Sequence, residues 1–205
     1  MDANKMLWIV ITSPDFFSGE ALFIHRLLAC GVDIVHLRKP LATKEECERL
    51  LAELSPEDRS HIVIHDFFEL VAPYGLRGIH LNARRNLPPV GYKGHVSRSC
   101  HSLEEVKRYK DECDYVFLSP IFDSVSKQGY TSAFNDAVLR QASEDKIIDN
   151  KVVALGGITS DKIRYLHSLH FGGAAMLGFI NSLAQLGENE QLDCLIAVKS
   201  CFEAL

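Results

Sequence analysis

The chain has 205 residues, 47% of them hydrophobic and 24% charged, with a formal net charge of −5 and a pI near 6.0. This is the balance of a globular protein with one sizeable core, and it excludes a disordered chain. The acidic charge and the lack of a basic stripe exclude the usual nucleic-acid binder, and no apolar run approaches the length of a membrane span.

Residues 7–12 open the pattern with a short apolar, β-branched run. It lacks the basic flank and cleavage site of a secretion signal and reads as a buried strand. Residues 17–30 carry apolar side chains at helical spacing and stop at Gly31, a residue suited to ending a helix. A strand at 33–37 leads to a helix opened by Thr43, with Glu46 three residues on to complete a capping box. Strands follow at 61–65, 78–81 and 95–97, and a second capping box pairs Ser102 with Glu105. After strands at 115–118 and 152–155, a helix opens at Thr159 or Ser160 and closes at Gly172 and Gly173. A strand at 174–177 and an amphipathic helix at 191–204 end the series. The six cysteines show no Cys-x-x-Cys spacing, which fits neither a disulfide framework nor a zinc site. Cys30, Cys47, Cys113, Cys194 and Cys201 fall on apolar helical positions and read as small buried hydrophobes, so a cytoplasmic protein is expected.

Eight strand runs alternating with helices predict an α/β fold, a single (β/α)8 TIM barrel of one domain spanning 1–205. The alternative, an open doubly wound sheet, would want a glycine-rich fingerprint after the first strand, and ITSPDFF contains none.

Chemistry in such a barrel sits at the C-terminal strand ends. Gly156 and Gly157 follow the seventh strand and Gly178 follows the eighth. Glycines there let backbone N–H groups approach a phosphate, with a helix N-terminus adding partial positive charge, although a tight turn alone would also use them. Arg38, Lys39 and Lys127 form a cationic set that would face the lone carboxylate of Asp66. Arg38 suits a bidentate grip on an anion and Lys127 a point charge, while each also reads as a solvated surface charge. Asp66 reads either as the N-cap of the helix beginning DFFEL or as a Mg2+ ligand. His36, His65, His80 and His101 ring the mouth without metal-ligand spacing, so hydrogen bonding to substrate or neighbours is their expected role.

The stretches VHLRKP, IVIHD, GIHLN, RSCHSLEEV, CDYVFLSPIFDSVSKQG and VVALGGIT resemble the thiamine phosphate synthase superfamily, which includes the related thiazole tautomerases. The resemblance runs nearly end to end. It implies a transferase of thiamine biosynthesis that joins hydroxymethylpyrimidine diphosphate to thiazole phosphate. Diphosphate departs, a pyrimidine carbocation forms and the thiazole nitrogen captures it. The implied cofactor is Mg2+, with Asp66 as its carboxylate ligand. Matched by motif, Arg38, Ser99 and Lys127 are the implied catalytic residues. His36, Lys39, His65, Ser124, Ser126, Gly156, Gly157, Leu177 and Gly178 are implied to contact substrate, with Ser124 and Ser126 on the thiazole phosphate.

Two positions depart from the family pattern. Pro40 stands where a lysine is expected, leaving Lys39 nearby, and Arg85 stands where the second metal-binding Asp is expected. An arginine there would repel Mg2+, or itself contact diphosphate and replace part of the metal's charge. RSCHSLEEV and the missing Asp also resemble the tautomerase branch, but that branch has a proton-transferring His where this chain has Pro120. A barrel that binds phosphate ligands without turnover is the third alternative. No nucleic-acid or membrane partner is expected. A homo-oligomer is left open, because barrels associate through helix faces that read as ordinary amphipathic surfaces.

Overall fold

Eight parallel strands hydrogen-bond in chain order and close, the last pairing with the first. They are β1 (Leu7–Ile11), β2 (Ile34–Leu37), β3 (Ile62–Ile64), β4 (Gly78–Leu81), β5 (His95–Cys100), β6 (Tyr115–Leu118), β7 (Val152–Leu155) and β8 (Gly173–Met176). Around them lie α1 (Glu20–Ala29), α2 (Lys44–Glu53), α3 (Pro56–Arg59), α4 (Val71–Tyr74), α5 (Leu103–Tyr109), α6 (Asp136–Glu144), α7 (Ile163–Ser168), α8 (Gly178–Leu183) and α9 (Glu188–Glu203). The computed structural model describes residues 5–122 and 134–205, so Ser124, Ser126 and Lys127 lie outside the described residues. The architecture is a single (β/α)8 barrel. The pairing of β1 with β8, Leu7 opposite Gly173 and Val10 opposite Met176, rules out the open sheet.

The two-residue period of a strand divides its side chains between two cores. Along β1, Leu7, Ile9 and Ile11 face the lumen, while Trp8 and Val10 pack outward beneath the helices. Trp8 stacks there on Phe202 of α9, with ring centroids 5.4 Å apart. Helices α1 and α2 cover this layer with a stripe at i, i+3, i+4 and i+7. The stripe is Glu20, Phe23, Ile24 and Leu27 in α1, and Cys47, Leu50, Leu51 and the adjoining Leu54 in α2.

The capping box at α2 forms as expected: the Glu46 N–H donates to Thr43 Oγ1 at 3.2 Å, and the Thr43 N–H to Glu46 Oε2 at 2.8 Å. Such a cap contributes about 1 kcal/mol. At α5 only half of the expected box forms. The Glu105 N–H donates to Ser102 Oγ at 3.1 Å, but the Glu105 carboxylate accepts the N–H of His101 instead.

Strand β5 continues through Cys100, beyond the 95–97 run read from the sequence. Its Ser-Arg-Ser alternation looks like a loop only because polar residues are assumed to face water. Here Ser97 and Ser99 point into the lumen to meet His80. The lumen is two-faced. Ile9, Ile11, Val153 and Ala175 fill the side made by β1, β7 and β8, and His36, His65, His80, Ser97 and Tyr115 crowd the opposite side. All six cysteines are free; Cys47, Cys100 and Cys113 are buried and the other three half-buried. Among the described residues no helix is long and apolar enough to cross a membrane.

Candidate active site

A cavity of about 770 Å³ opens at the C-terminal ends of the strands. Ile11, Phe117, Leu155 and Ala175 give it an apolar floor, and polar groups stand on two sides. On one side β7 runs into Gly156 and Gly157, both left-handed with φ of 101° and 61°. A Cβ on Gly156 would sit 2.9 Å from Pro120 Cα, so conformation and space both demand glycine. The loop is fixed from behind: Lys162 Nζ donates to the Gly157 carbonyl at 2.8 Å and the Phe122 N–H to the Gly156 carbonyl at 3.1 Å. Gly178 is the first residue of α8, so its N–H has no partner within the helix. Gly156, Gly157, Leu177 and Gly178 all line the cavity. This is a backbone cradle suited to a phosphate.

On the other side Arg38 lines the cavity at the end of β2, where its backbone N–H donates to Thr12 Oγ1 at 3.0 Å. Ser99 and His65 also line it, whereas His36 lies deeper and does not. His36 Nδ1 is 2.9 Å from His65 Nε2, and its Nε2 is 2.6 Å from the Tyr115 hydroxyl. His80 lies 2.9 Å from Ser97 Oγ through Nδ1 and 2.8 Å from Ser99 Oγ through Nε2. The Ser97 hydroxyl donates to the Ile79 carbonyl at 3.4 Å. Ser97 therefore accepts from His80 Nδ1, and His80 Nε2 accepts the Ser99 proton. Burial holds His36 and His65 well below the usual imidazole pKa and brings His80 down to about 3, nearby positive groups adding to each shift. All three rings are neutral near pH 7. Each brings a nitrogen within 4.8 Å of the others. The His65 and His80 rings are stacked, however, with centroids 4.2 Å apart, so their lone pairs do not converge on one point. Hydrogen bonding, as the sequence suggested, is their occupation.

Lys39 corrects an expectation. It does not line the cavity: its ammonium donates to both Glu20 oxygens at 2.6 and 2.7 Å and to the Asp15 carbonyl at 2.9 Å. The side chains of this pair are only 1% and 3% exposed. Burial lowers the Lys39 pKa and raises that of Glu20, and the contact between them opposes both shifts. The reason is steric and electrostatic: Glu20 occupies the buried stripe of α1 and Lys39 is the cation that neutralises it.

Asp66 also differs from its expected roles. The turn after β3 begins with Phe67 in the left-handed region, φ 55°, and Asp66 caps no helix. Its carboxylate faces Arg84 Nη2 at 3.2 Å and Arg85 Nε at 3.7 Å. Asn82 Oδ1 accepts the N–H groups of both arginines, at 2.9 and 3.2 Å, and so sets that turn. Sequence reading gave no role to Glu20, Asn82 or Arg84. The buried heptad-like spacing of Glu20 with Phe23, Ile24 and Leu27 was the available signal for the first, and the Asn-x-Arg-Arg turn for the others.

A family profile described as thiamine monophosphate synthase matches residues 8–180. The chain belongs to the thiamine monophosphate synthase family. The crystal structure of thiamine phosphate pyrophosphorylase from Bacteroides thetaiotaomicron is 40% identical, with a TM-score of 0.87 over 97% of this chain and 98% of that one. Thiamine-phosphate synthase 1 of Aquifex aeolicus (strain VF5) is 30% identical over 161 residues, 73% of each chain. Thiamine phosphate pyrophosphorylase from Pyrococcus furiosus, at 19% identity and a TM-score of 0.77 over 98% of both chains, shares the fold. For a member of the thiamine monophosphate synthase family, the Mg2+ expected at Asp66 meets an unsuitable donor set. A hard divalent ion wants several oxygen ligands. Asp66 is a single carboxylate already facing two guanidinium groups, and among the described residues no Asp or Glu lines the cavity. These residues do not fit the ion.

Proposed function

We propose that the chain is a thiamine phosphate synthase, a transferase joining hydroxymethylpyrimidine diphosphate to thiazole phosphate with release of diphosphate. One observation carries the reading: a single apolar-floored cavity has the Gly156, Gly157 and Gly178 cradle on one side and the Arg38 guanidinium on the other. Two phosphorylated substrates held at opposite anion sites would meet over that floor, which converts an encounter into a positioned reaction.

In the reaction the bond between the pyrimidine methylene carbon and the diphosphate oxygen breaks, and its electron pair leaves with the oxygen. Arg38 stabilises the charge developing there. The thiazole nitrogen then gives its lone pair to the methylene carbon. Ile11, Phe117, Leu155 and Ala175 shield that carbon from water. Ser99, having given its proton to His80, offers its lone pairs to a substrate donor. Lys127 is assigned to the leaving diphosphate, and Ser124 and Ser126 to the thiazole phosphate, from the segment outside the described residues. The free cysteines support a reducing compartment, and the cytoplasm is the location we assign.

The test is to incubate the purified chain with both substrates and follow diphosphate release and thiamine phosphate formation together. Isomerisation of a thiazole carboxylate phosphate without diphosphate release would replace this reading with the tautomerase one. Binding of both phosphates without product would favour the non-catalytic barrel.

A further inference from the structure

The arginines that displace the metal from Asp66 are themselves placed like an anion site. Asn82, just past β4, turns the chain so that Arg84 and Arg85 both reach the Asp66 carboxylate across from β3. Arg84 lines the cavity together with Arg38, and its side chain remains 54% exposed. A guanidinium has five N–H donors in a fixed fork, so one contact to Asp66 and a 3.5 Å contact to the Pro40 carbonyl leave donors free. Arg85 lies outside the cavity lining and holds the other Asp66 oxygen. The formal charges of Arg38, Arg84 and Arg85 less that of Asp66 leave two positive charges, the charge of a divalent cation.

We infer that Arg84, held by Asp66 and the Asn82 turn, is a diphosphate ligand of this cavity, and that the Arg38, Arg84 and Arg85 cluster does the charge work of a metal ion. The inference rests on the proposed transferase reading for the identity of the anion. Arg84 contacts the diphosphate oxygens, because a planar fork matches phosphate better than a point charge does. Arg85 is a positioning residue: it occupies Asp66 Oδ1, so that Asp66 orients Arg84 instead of recruiting a cation.

The experiment is a calorimetric titration of the full chain with inorganic pyrophosphate, in EDTA and again in excess Mg2+. Pyrophosphate should bind in EDTA within about threefold of its affinity in Mg2+. Arg84→Ala should weaken binding in EDTA by about ten- to a hundredfold, the loss of one charge-assisted contact, and Arg84→Lys should restore part of it. Asp66→Asn keeps an oxygen for Arg84 but loses the charge that holds it, and should shift pyrophosphate binding in EDTA by less than Arg84→Ala does. Melting curves of the Arg84 variants should match the parent, since that side chain is exposed. Pyrophosphate binding that appears only with Mg2+ and disappears in Asp66→Asn would overturn the inference, as would unchanged binding in Arg84→Ala. The transferase reading is scored separately, by product formation. Metal-dependent turnover without metal-free pyrophosphate binding sinks only the clamp, and metal-free binding without product sinks only the transferase.

Discussion

Lowering the pH should unfold this barrel early, because three buried rings are neutral in the fold and would be charged outside it. His36, His65 and His80 all have folded pKa values below the ordinary 6.5, and His80 is down at about 3. A group lowered on folding contributes stability that is fully present above the unfolded value and is lost as pH falls toward the folded one. For His80 that window runs from 6.5 down to about 3. At about pH 5.5, one unit below the unfolded value, each ring that stays neutral in the fold costs roughly 1.4 kcal/mol. Three rings together cost about 4 kcal/mol, against a typical total stability of about 5–15 kcal/mol. His95 is also lowered by burial and adds to the three rings, while Glu20, raised by burial, takes up its proton in the opposite sense, so the net uptake on unfolding near pH 5.5 should be about three protons. Urea unfolding at several values between about pH 7.5 and 5.5 measures it directly: the slope of unfolding free energy against pH counts the protons. A free energy that stays flat across that range would refute the assignment of three neutral rings.

Other consequences are equally open to measurement. Glu20→Gln leaves the Lys39 ammonium buried without its counter-ion and should cost about 3–5 kcal/mol, read from thermal or urea melts. The double variant Glu20→Leu with Lys39→Met should recover most of that loss, whereas a single variant as stable as the parent would deny the pair its role. Gly156→Ala forces a left-handed alanine whose Cβ meets Pro120, so inorganic phosphate titrated into the variant should bind at least about tenfold more weakly. Arg38→Ala should lower kcat/KM for the pyrimidine diphosphate by roughly 10- to 1,000-fold with little change in melting temperature, and unchanged kinetics would remove Arg38 from the site.

Much of this fold was legible because parallel strands buried on both faces are short apolar runs, and seven of the eight were of that kind. β5 hid its length because its inward residues are serines whose partner, His80, lies on the neighbouring strand. The glycine cradle was legible for the opposite reason: its function resides in the backbone, and glycine is what the backbone requires. The charged residues were harder. Nothing adjacent to Lys39 distinguishes it from a substrate contact, because the carboxylate that captures it lies nineteen positions away. Asp66 looked like a cap or a metal ligand because the arginines that claim it come from the next strand's loop. His36 was expected at the mouth and sits beneath it, since a strand-end position does not reveal depth.

The polar half of the lumen has a sense of direction. Ser99 donates to His80 and His80 to Ser97, which gives its own proton to the Ile79 carbonyl, and beside them the neutral His36 ring stands between the Tyr115 hydroxyl and His65. The outer members of these two series, Ser99 and His65, both stand in the cavity wall. A hydroxyl or imidazole with one partner on each side can reverse its role only if its neighbours reverse theirs. A ligand that donates to Ser99 keeps this order, and one that demands the Ser99 proton must move the His80 N–H to the other ring nitrogen and turn the Ser97 hydroxyl away from Ile79. The polar wall thus meets a ligand with a hydroxyl whose character is set by the strands behind it, so this side of the cavity selects by proton order as well as by charge.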